Sequence, residues 1–323
     1  MLARITWATC AILLILAADA RAQPYPARPI TMVVPFPAGG PTDTIARVVA
    51  ERMRVSLGQP LIIENVTGAD GSIAVGRVAR ATPDGYTLSF GTWSTHVVNG
   101  AALALSYDVV NDFTPVGLVS DSPMVLIVNT APANNLQEFV AWLKANPGKA
   151  SQGTPGVSGA AHLAGVFFQD RTGARFQIVP YRGVGPAMQD LLGGRIDFMF
   201  DFVANSLAQV RAGKLKALAV LSQSRLGLLP NVPTVDEAGL PGLHVSSWQA
   251  IWAPRATPTL AVAKLNRALM DALGEPSVRQ RLVDLAQKIP PRDGQTPEAL
   301  AALQKAEIEK WWPIIKAAGI RAD

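Results

Sequence analysis

The stretch at residues 33–43, VVPFPAGGPTD, joins an apolar run to a turn with two glycines and the start of a helix. Gly40 suits the position just before a helix, and Pro41 suits the first helical position. Asp43 at the third position complements the positive end of the helix dipole. The backbone amides at 38–42 then lack helical partners, so they form a cradle for an anion.

This loop is neither a phosphate-binding P-loop nor a dinucleotide-binding turn. No G-K-[ST] follows the glycines, and the G-x-G-x-x-G spacing is missing. A turn whose glycines serve only its geometry is the alternative. The candidate ligand residues of this loop are Pro37, Ala38, Gly39, Gly40, Thr42 and Asp43.

Two more loops have the same character, GADGSI at 68–73 and GTWSTH at 91–96. Each follows a β-type run, and Ser72 is a candidate N-cap of the helix after the first of them. Trp93 is either a core side chain or a wall of a pocket. The candidate ligand residues of these loops are Gly71, Ser72, Thr92 and Trp93.

The second half of the chain repeats this arrangement in GTPGVSGAAHL at 153–163. Ser158, Gly159 and His162 are the candidates there, although a lone histidine is often only a packed side chain. Asp201 ends the apolar run IDFMFD, where it is either a ligand contact or a cap of the next helix.

These loops require an alternation of strands and helices, which the pattern supplies. Apolar runs at 30–36, 61–66 and 87–92 alternate with helical stretches, which predicts a parallel sheet covered on both faces. The alternation restarts with a strand at 123–129, and three helices follow a last strand at 245–254. We expect those helices to return to the first sheet, with crossings near 120–125 and 245–251.

A hydrolase is the enzymatic alternative. Residues 156–160, GVSGA, approach the G-x-S-x-G elbow but end in alanine, and Asp201 and His244 fill the remaining triad order only formally. The three histidines are widely spaced and no pair of carboxylates stands out, so we predict neither a metal site nor a cofactor, and no enzyme.

The first residues predict export. Arg4, the apolar run 8–18 and the small-x-small pattern ending at Ala22 indicate a signal peptide at 1–22, with the periplasm as destination. Cys10 is the only cysteine, so the mature chain would lack disulfides. The formal net charge of +5 favours anionic ligands slightly. No basic cluster with interleaved aromatics indicates nucleic acid, and we expect a monomer.

Several phrases together resemble the Bug-type (tripartite tricarboxylate transporter) periplasmic receptors: VVPFPAGGPTDTIAR, PDGYTLSFGTWSTHVVN, VPYRGVGPAMQDLLGGRIDFMFD, LPNVPTVDEAGLPG and EIEKWWPIIKAAGI. The resemblance implies an α/β, two-domain type II periplasmic-binding-protein (Venus-flytrap) fold. Residues 23–122 plus 245–323 would form domain I, and residues 123–244 domain II. It also implies a small organic carboxylate in the interdomain cleft and membrane permease subunits as partners.

In that family the loop at 37–43 would grip one carboxylate, and the region of Ser158 would complete the grip. Two positions depart from the family pattern: Asp70, where the family often reads GAGGNIG, and Trp93, where it has a small residue. The hypothesis for Trp93 is that it narrows the cleft or stacks on a planar ligand, for example an aromatic acid. A receptor for sensing instead of uptake, and a hydrolase using Ser158, remain the alternatives.

Overall fold

The computed structural model describes residues 25–129, 133–156 and 159–320, so the predicted signal peptide lies outside it. The strands are β1 (Ile30–Val34), β2 (Leu61–Asn65), β3 (Thr87–Thr92), β4 (Phe113–Val128), β5 (Ser151–Thr154), β6 (Gln177–Pro180), β7 (Phe198–Phe202), β8 (Lys216–Val220) and β9 (Ser246–Pro254).

The α-helices are α1 (Pro41–Leu57), α2 (Ser72–Ala79), α3 (Asn99–Ala102), α4 (Leu136–Ala145), α5 (Ala160–Thr172), α6 (Val184–Leu192), α7 (Val203–Arg211), α8 (Thr259–Gly274), α9 (Pro276–Asp284) and α10 (Pro297–Ala317). Short 3-10 turns occupy Ala69–Gly71 and Arg292–Gln295, and a π turn occupies Ser94–Val98. Among the helices of the described residues, none has both the length and the apolar character that crossing a bilayer requires.

The strands form two parallel groups joined by two long antiparallel strands, in the order β2-β1-β3-β9-β4-β7-β5-β6 with β8 beside β4. β1, β2 and β3 are parallel to one another and form the first strand group. β5, β6 and β7 are parallel and form the second strand group. β9 pairs with β3 and β4, and β4 continues into the pairing with β7.

β4 is longer than the sequence predicts. The apolar run predicts a strand that starts at residue 123, but the strand starts at Phe113. Pro115, Gly117 and Ser120 interrupt the apolar pattern of this first part, and the register against β9 shifts at the same places. The pairing with β9 therefore stabilises a strand that local propensity does not indicate.

Two apolar layers cover the faces of the first strand group. On one face, Ile45, Val49 and Met53 of α1 pack with Leu265 and Leu269 of α8 over β1 and β3. On the other face lie α2 and α10, in a core that continues into the second strand group through Trp252, Trp311 and Phe167. The last three helices therefore do return to the first sheet.

The register brings the carboxyl ends of the two strand groups toward each other. Thr92 at the end of β3 lies opposite Gln249, which lies opposite Ser120 of β4. Phe202 at the end of β7 lies opposite Met124 of β4, and β7 runs antiparallel to β4. Ser120 and Met124 are four residues apart on β4, which is a distance of roughly 13 Å along the strand. Both sets of loops thus open onto one space beside residues 120–124, which we call the central gap.

Candidate functional site

The glycine loop after β1 is held by Asp43, the buried third residue of α1. Its carboxylate accepts hydrogen bonds from the Gly39 amide at 2.8 Å and from Arg47 Nε at 2.9 Å. Asn65 at the end of β2 donates to the other oxygen at 2.9 Å. Gly39 has a φ of 79°, which a residue with a side chain rarely adopts. Asp43 therefore fixes the turn as well as complementing the helix dipole.

Burial alone would raise the pKa of Asp43, but the hydrogen bonds from Arg47, Gly39 and Asn65 outweigh it and lower the pKa to about 2. Gly40 also uses its amide within the loop, on the carbonyl of Pro37 at 3.2 Å. Two amides of the predicted cradle are thus occupied by the protein. Ala38, which is exposed, and Thr42, which is partly exposed, carry the amides that remain as candidate ligand donors.

The loop after β2 runs through four successive residues with positive φ: Gly68, Ala69, Asp70 and Gly71. A Cβ on Gly71 would lie 2.8 Å from the Cβ of Pro35 and 2.9 Å from Cγ2 of Thr95, so this glycine touches both neighbouring loops. The three loops of the first strand group are therefore in contact. The N-cap position of α2 is Gly71, and Ser72 is the first helical residue, so the predicted cap at Ser72 is wrong.

The hydroxyl groups of the loop after β3 form a small hydrogen-bond network. The Thr92 amide donates to Thr95 Oγ1 at 2.9 Å, and the Thr92 and Ser94 hydroxyls share a hydrogen bond of 2.8 Å. Thr92 and Thr95 are buried, whereas Ser94 is partly exposed. Ser94 is thus the accessible hydroxyl of this tip. Sequence reasoning did not select it as a candidate, although it stands in the same GTWSTH signal.

Trp93 lies inside the protein, with 1% of its surface exposed. Its ring meets Trp311 of α10 edge to face, with centroids 5.2 Å apart. Trp311 in turn meets Phe167 of α5 at 5.3 Å. In this conformation no face of the Trp93 ring is free to stack on a planar ligand. Its larger role is to link the β3 tip, through α10, to the second strand group.

On the other side of the central gap, α5 begins after Gly159, which is exposed and occupies the N-cap position. Ser158 lies outside the described residues. His162 is partly buried, burial lowers its pKa, and its Nδ1 has no hydrogen-bond partner within the described residues. A neutral imidazole in the first turn of a helix can accept or donate a hydrogen bond, although this Nδ1 is buried in the structure.

Asp201 lies near the end of β7, with 2% of its surface exposed. Asn205 donates to Oδ1 at 2.9 Å, but Oδ2 is buried and has no partner in the parts of the chain that the structure describes. Burial raises the pKa of Asp201 to about 6, against smaller opposing effects of Asn205, Phe202 and Ser206. The N-cap position of α7 is Phe202, so Asp201 is not its cap. A protonated Asp201 can donate to a carboxylate, whereas an ionised one would repel it.

The hydrolase arrangement is not formed by the residues described. The ring of His244 bonds to Asp236, with Nε2 2.9 and 3.0 Å from its two oxygens. Asp201 bonds instead to Asn205. The acid and the base of the formal triad therefore have other partners, and neither bonds to the other.

The profile of the family described as "Tripartite tricarboxylate transporter family receptor" matches residues 45–320. Protein BugT of Bordetella pertussis is 38% identical over 309 residues, which are 95% of this chain and 94% of that protein.

Two solved structures from Rhodopseudomonas palustris share the fold. MatC with bound malate is 38% identical with a TM-score of 0.74, over 90% of this chain and all of that one. Rpa4515 with adipate is 33% identical with a TM-score of 0.75, over 92% and 99%. The predicted two-domain binding-protein fold and the predicted family are thereby confirmed.

Proposed function

Because the chain belongs to the family of tripartite tricarboxylate transporter receptors, we propose that it captures a small organic carboxylate between its two domains and delivers it to the membrane subunits of such a transporter. Receptors of this family are periplasmic binding proteins. Two relatives of the same fold carry malate and adipate, which supports a carboxylate here.

The observation that carries the proposal is the convergence of both sets of loops on the central gap. The first strand group brings the amides of Ala38 and Thr42 and the hydroxyl of Ser94. The second brings the start of α5, with His162, and Asp201. Charge-assisted hydrogen bonds contribute about 1.5–3 kcal/mol each. Three or four of them supply the roughly 8 kcal/mol of micromolar binding without an arginine.

We assign the ligand contacts to loop residues of both domains. They are Pro37, Ala38, Gly39, Gly40, Thr42, Asp43, Gly71, Ser72, Thr92, Trp93, Ser158, Gly159, His162 and Asp201, together with Ser94. Within this set, Asp43, Thr92 and Trp93 would act by shaping the loops, because each is buried and bonded or packed within the protein. Asp201 is also buried, but one of its oxygens has no partner among the described residues. The exposed amides and hydroxyls would contact the ligand.

We further propose that residues 23–122 plus 245–323 form one domain and residues 123–244 the other. β4 and β9 would be the hinge strands. Among the described strands, these two pair with each other and lie between the first strand group and the second. The segment 1–22 would direct export to the periplasm and be removed. Ligand binding would then shift an open–closed equilibrium of the two domains.

The test is a thermal-shift screen of the mature chain with mono-, di- and tricarboxylic and aromatic acids, each paired with its neutral amide, followed by calorimetry. We expect an acid to raise the melting temperature of the protein and its neutral amide not to. Only the acid carries the negative charge that the loop donors bind, and only a bound ligand stabilises the folded protein. If no acid of the panel binds, or if the amides bind equally well, the proposal fails.

Variants on both sides of the central gap test where the acid binds. Ser94→Ala and His162→Ala should each weaken binding about tenfold, because each removes one polar contact. Ser106→Ala is the control, since Ser106 is exposed and accepts only a 3.5 Å contact from Arg80. If only one of these two variants weakened binding of the acid, capture between the domains would be contradicted.

A further inference from the structure

A short segment, residues 241–244, leads from the proposed second domain into β9, and we call it the crossing segment. Side chains of the second domain hold it in two places. Arg171 of α5 donates to the Pro241 carbonyl at 2.9 Å. Asp236 accepts from the Gly242 amide, also at 2.9 Å. The crossing segment is thus fixed to the body of the second domain up to the point where the chain leaves it.

The first domain contacts the same segment through a side chain of α10. Lys310 Nζ donates to the His244 carbonyl at 2.6 Å. The ring of His244 bonds instead to Asp236, with Nε2 2.9 Å from Oδ2. His244 is therefore bonded to the second domain by its ring and to α10 by its backbone. A movement of α10 away from the crossing segment must break the bond from Lys310.

The Lys310 ammonium group also lies near two aromatic rings that belong to different proposed domains. Its Nζ is 4.9 Å from the ring centroid of Phe167 on α5 and 4.9 Å from that of Trp311 on α10. Both rings are buried. A cation within about 6 Å of a ring centroid is attracted to the ring, and more strongly where water is removed. Lys310 thus joins α5, α10 and the crossing segment at one point.

The charges around Lys310 bear on this role. Burial lowers the pKa of Lys310, Glu307 three residues earlier opposes that effect, and Arg171 adds to it. A nearby carboxylate favours the charged form of a lysine. A second lysine of the first domain, Lys288, donates to Ser224 of the second at 2.8 Å, but both side chains are exposed and water competes for them. Lys310 is therefore the more sheltered of these two contacts.

We propose that Lys310 is a positioning residue for ligand capture, which holds the two domains in the arrangement where both sets of loops open onto the central gap. The inference rests on the proposed function, and in particular on the division into two domains. Loss of the ammonium group removes its contacts with α5 and with the crossing segment together, while β4 and β9 still connect the domains. The ligand-free protein should then populate a second arrangement more often.

The test measures the separation of the domains in the ligand-free mature chain with a pair of spin labels. Cys10, the only cysteine, lies in the predicted signal peptide, so Thr67→Cys and Gln189→Cys provide two specific labelling sites. Both positions are exposed. Thr67 follows β2 and Gln189 lies in α6 after β6, and these are the outermost strands of the order. The distance between the labels therefore responds to a rotation of the domains.

Lys310→Met should raise the share of a second label distance, relative to the main one, at least about tenfold, because a charge-assisted hydrogen bond and the attraction to two rings are lost. Lys310→Arg keeps the charge and N–H donors, so it should restore most of the wild-type distribution. Phe167→Leu keeps the lysine and should give the same second distance in a smaller share. It takes the place of Lys310→Met if that variant lacks cooperative thermal unfolding.

The matched control is Lys305→Met, an exposed lysine on the same helix whose ion pair with Glu309 is 3.9 Å long. It should leave the label distances unchanged. An unchanged distribution in the folded variant at Lys310 or Phe167, or an equal change in Lys305→Met, would overturn the inference. The measurement uses no ligand, so it stands even if every acid of the carboxylate panel fails. Unchanged distances together with binding of an acid would remove this inference and leave the proposed function intact.

Discussion

At the scale of single residues, the buried acids of this protein divide into two kinds. Asp43 lies among three donors that outweigh its burial, so it is ionised and holds a loop. Asp201 has one hydrogen-bonded oxygen and one buried oxygen without a partner in the described chain, so burial dominates. The two acids should therefore respond in opposite ways to pH and to replacement by asparagine.

Asp43→Asn should lower the free energy of unfolding by about 1–2 kcal/mol at pH 7, because the folded pKa of about 2 lies below the ordinary 3.8. The stability that Asp43 contributes is present above about pH 5 and is lost as pH falls from about 4 to 2. Urea unfolding of both proteins at pH 7 and pH 3 measures this.

Asp271→Asn is the control for Asp43, since Asp271 also forms an i,i+4 pair, with Arg267 at 3.1 Å, but in the reverse order, near the end of its helix and at the surface. It should cost less than about 1 kcal/mol. Equal losses in the two variants would mean that the loop clamp adds nothing beyond an ordinary helix ion pair.

Asp201→Asn should instead stabilise the protein at pH 7.5, by about 1–3 kcal/mol, because it removes a buried acid whose folded pKa of about 6 lies above the ordinary 3.8. The raised pKa means that the wild type loses stability as pH rises from about 4 to 6. The difference between the proteins should thus vanish near pH 4, as denaturant unfolding across pH 4–8 can measure. A variant less stable at pH 8 than the wild type would contradict this.

At the scale of elements, the tip of β3 is held by a close contact that only glycine allows. A Cβ on Gly91 would overlap the ring of His96, which stacks on Trp252 with centroids 3.8 Å apart. Burial lowers the pKa of His96 to about 3, so the ring is neutral in this apolar setting. The stack sets the turn that leads from β3 to Ser94.

Gly91→Ala should lower the free energy of unfolding by about 1–3 kcal/mol, since the new methyl group overpacks the stack. Gly185→Ala is the contrast, because Gly185 lies in α6 and a methyl group added there would meet no atom within 4 Å. It should gain up to about 1 kcal/mol from helix propensity. Thermal unfolding measures the loss of stability in Gly91→Ala and the gain in Gly185→Ala. If Gly91→Ala leaves the stability unchanged, the stacked rings of His96 and Trp252 can move to accommodate the methyl group.

The sequence predicted most elements because their periodicity is strong. The apolar runs located β1 and β3 within a residue or two, and the stripe from Ile45 to Met53 located α1. That the three glycine loops would share one edge also followed from parallel strands. The clamp on Asp43 did not, because Asn65 reaches it only when β2 is aligned beside β1. The burial of Trp93 likewise depends on α10, more than 200 residues further along the chain.

At the scale of the whole molecule, α10 joins the two strand groups. Trp311 lies between Trp93 of the first group's loops and Phe167 of α5, and the apolar core runs without a break through these rings. The neighbouring Trp312 donates to the Val97 carbonyl at 2.9 Å and packs near Gly100, both on the side of the first strand group. Trp311 thus contacts both strand groups, whereas the contacts given for the adjacent Trp312 are with the first strand group.

Trp311→Ala should therefore both destabilise the protein, by about 3–5 kcal/mol, and uncouple its halves. In the wild type we expect one cooperative transition, because a shared core makes each half depend on the other. In Trp311→Ala the transition should broaden or split, as calorimetry compared with van't Hoff enthalpies detects. Trp312→Ala should lower the melting temperature while it keeps a single transition, since its contacts are on one side only. If both variants remain cooperative, the continuity of the core does not depend on Trp311, and β4 and β9 alone must couple the domains.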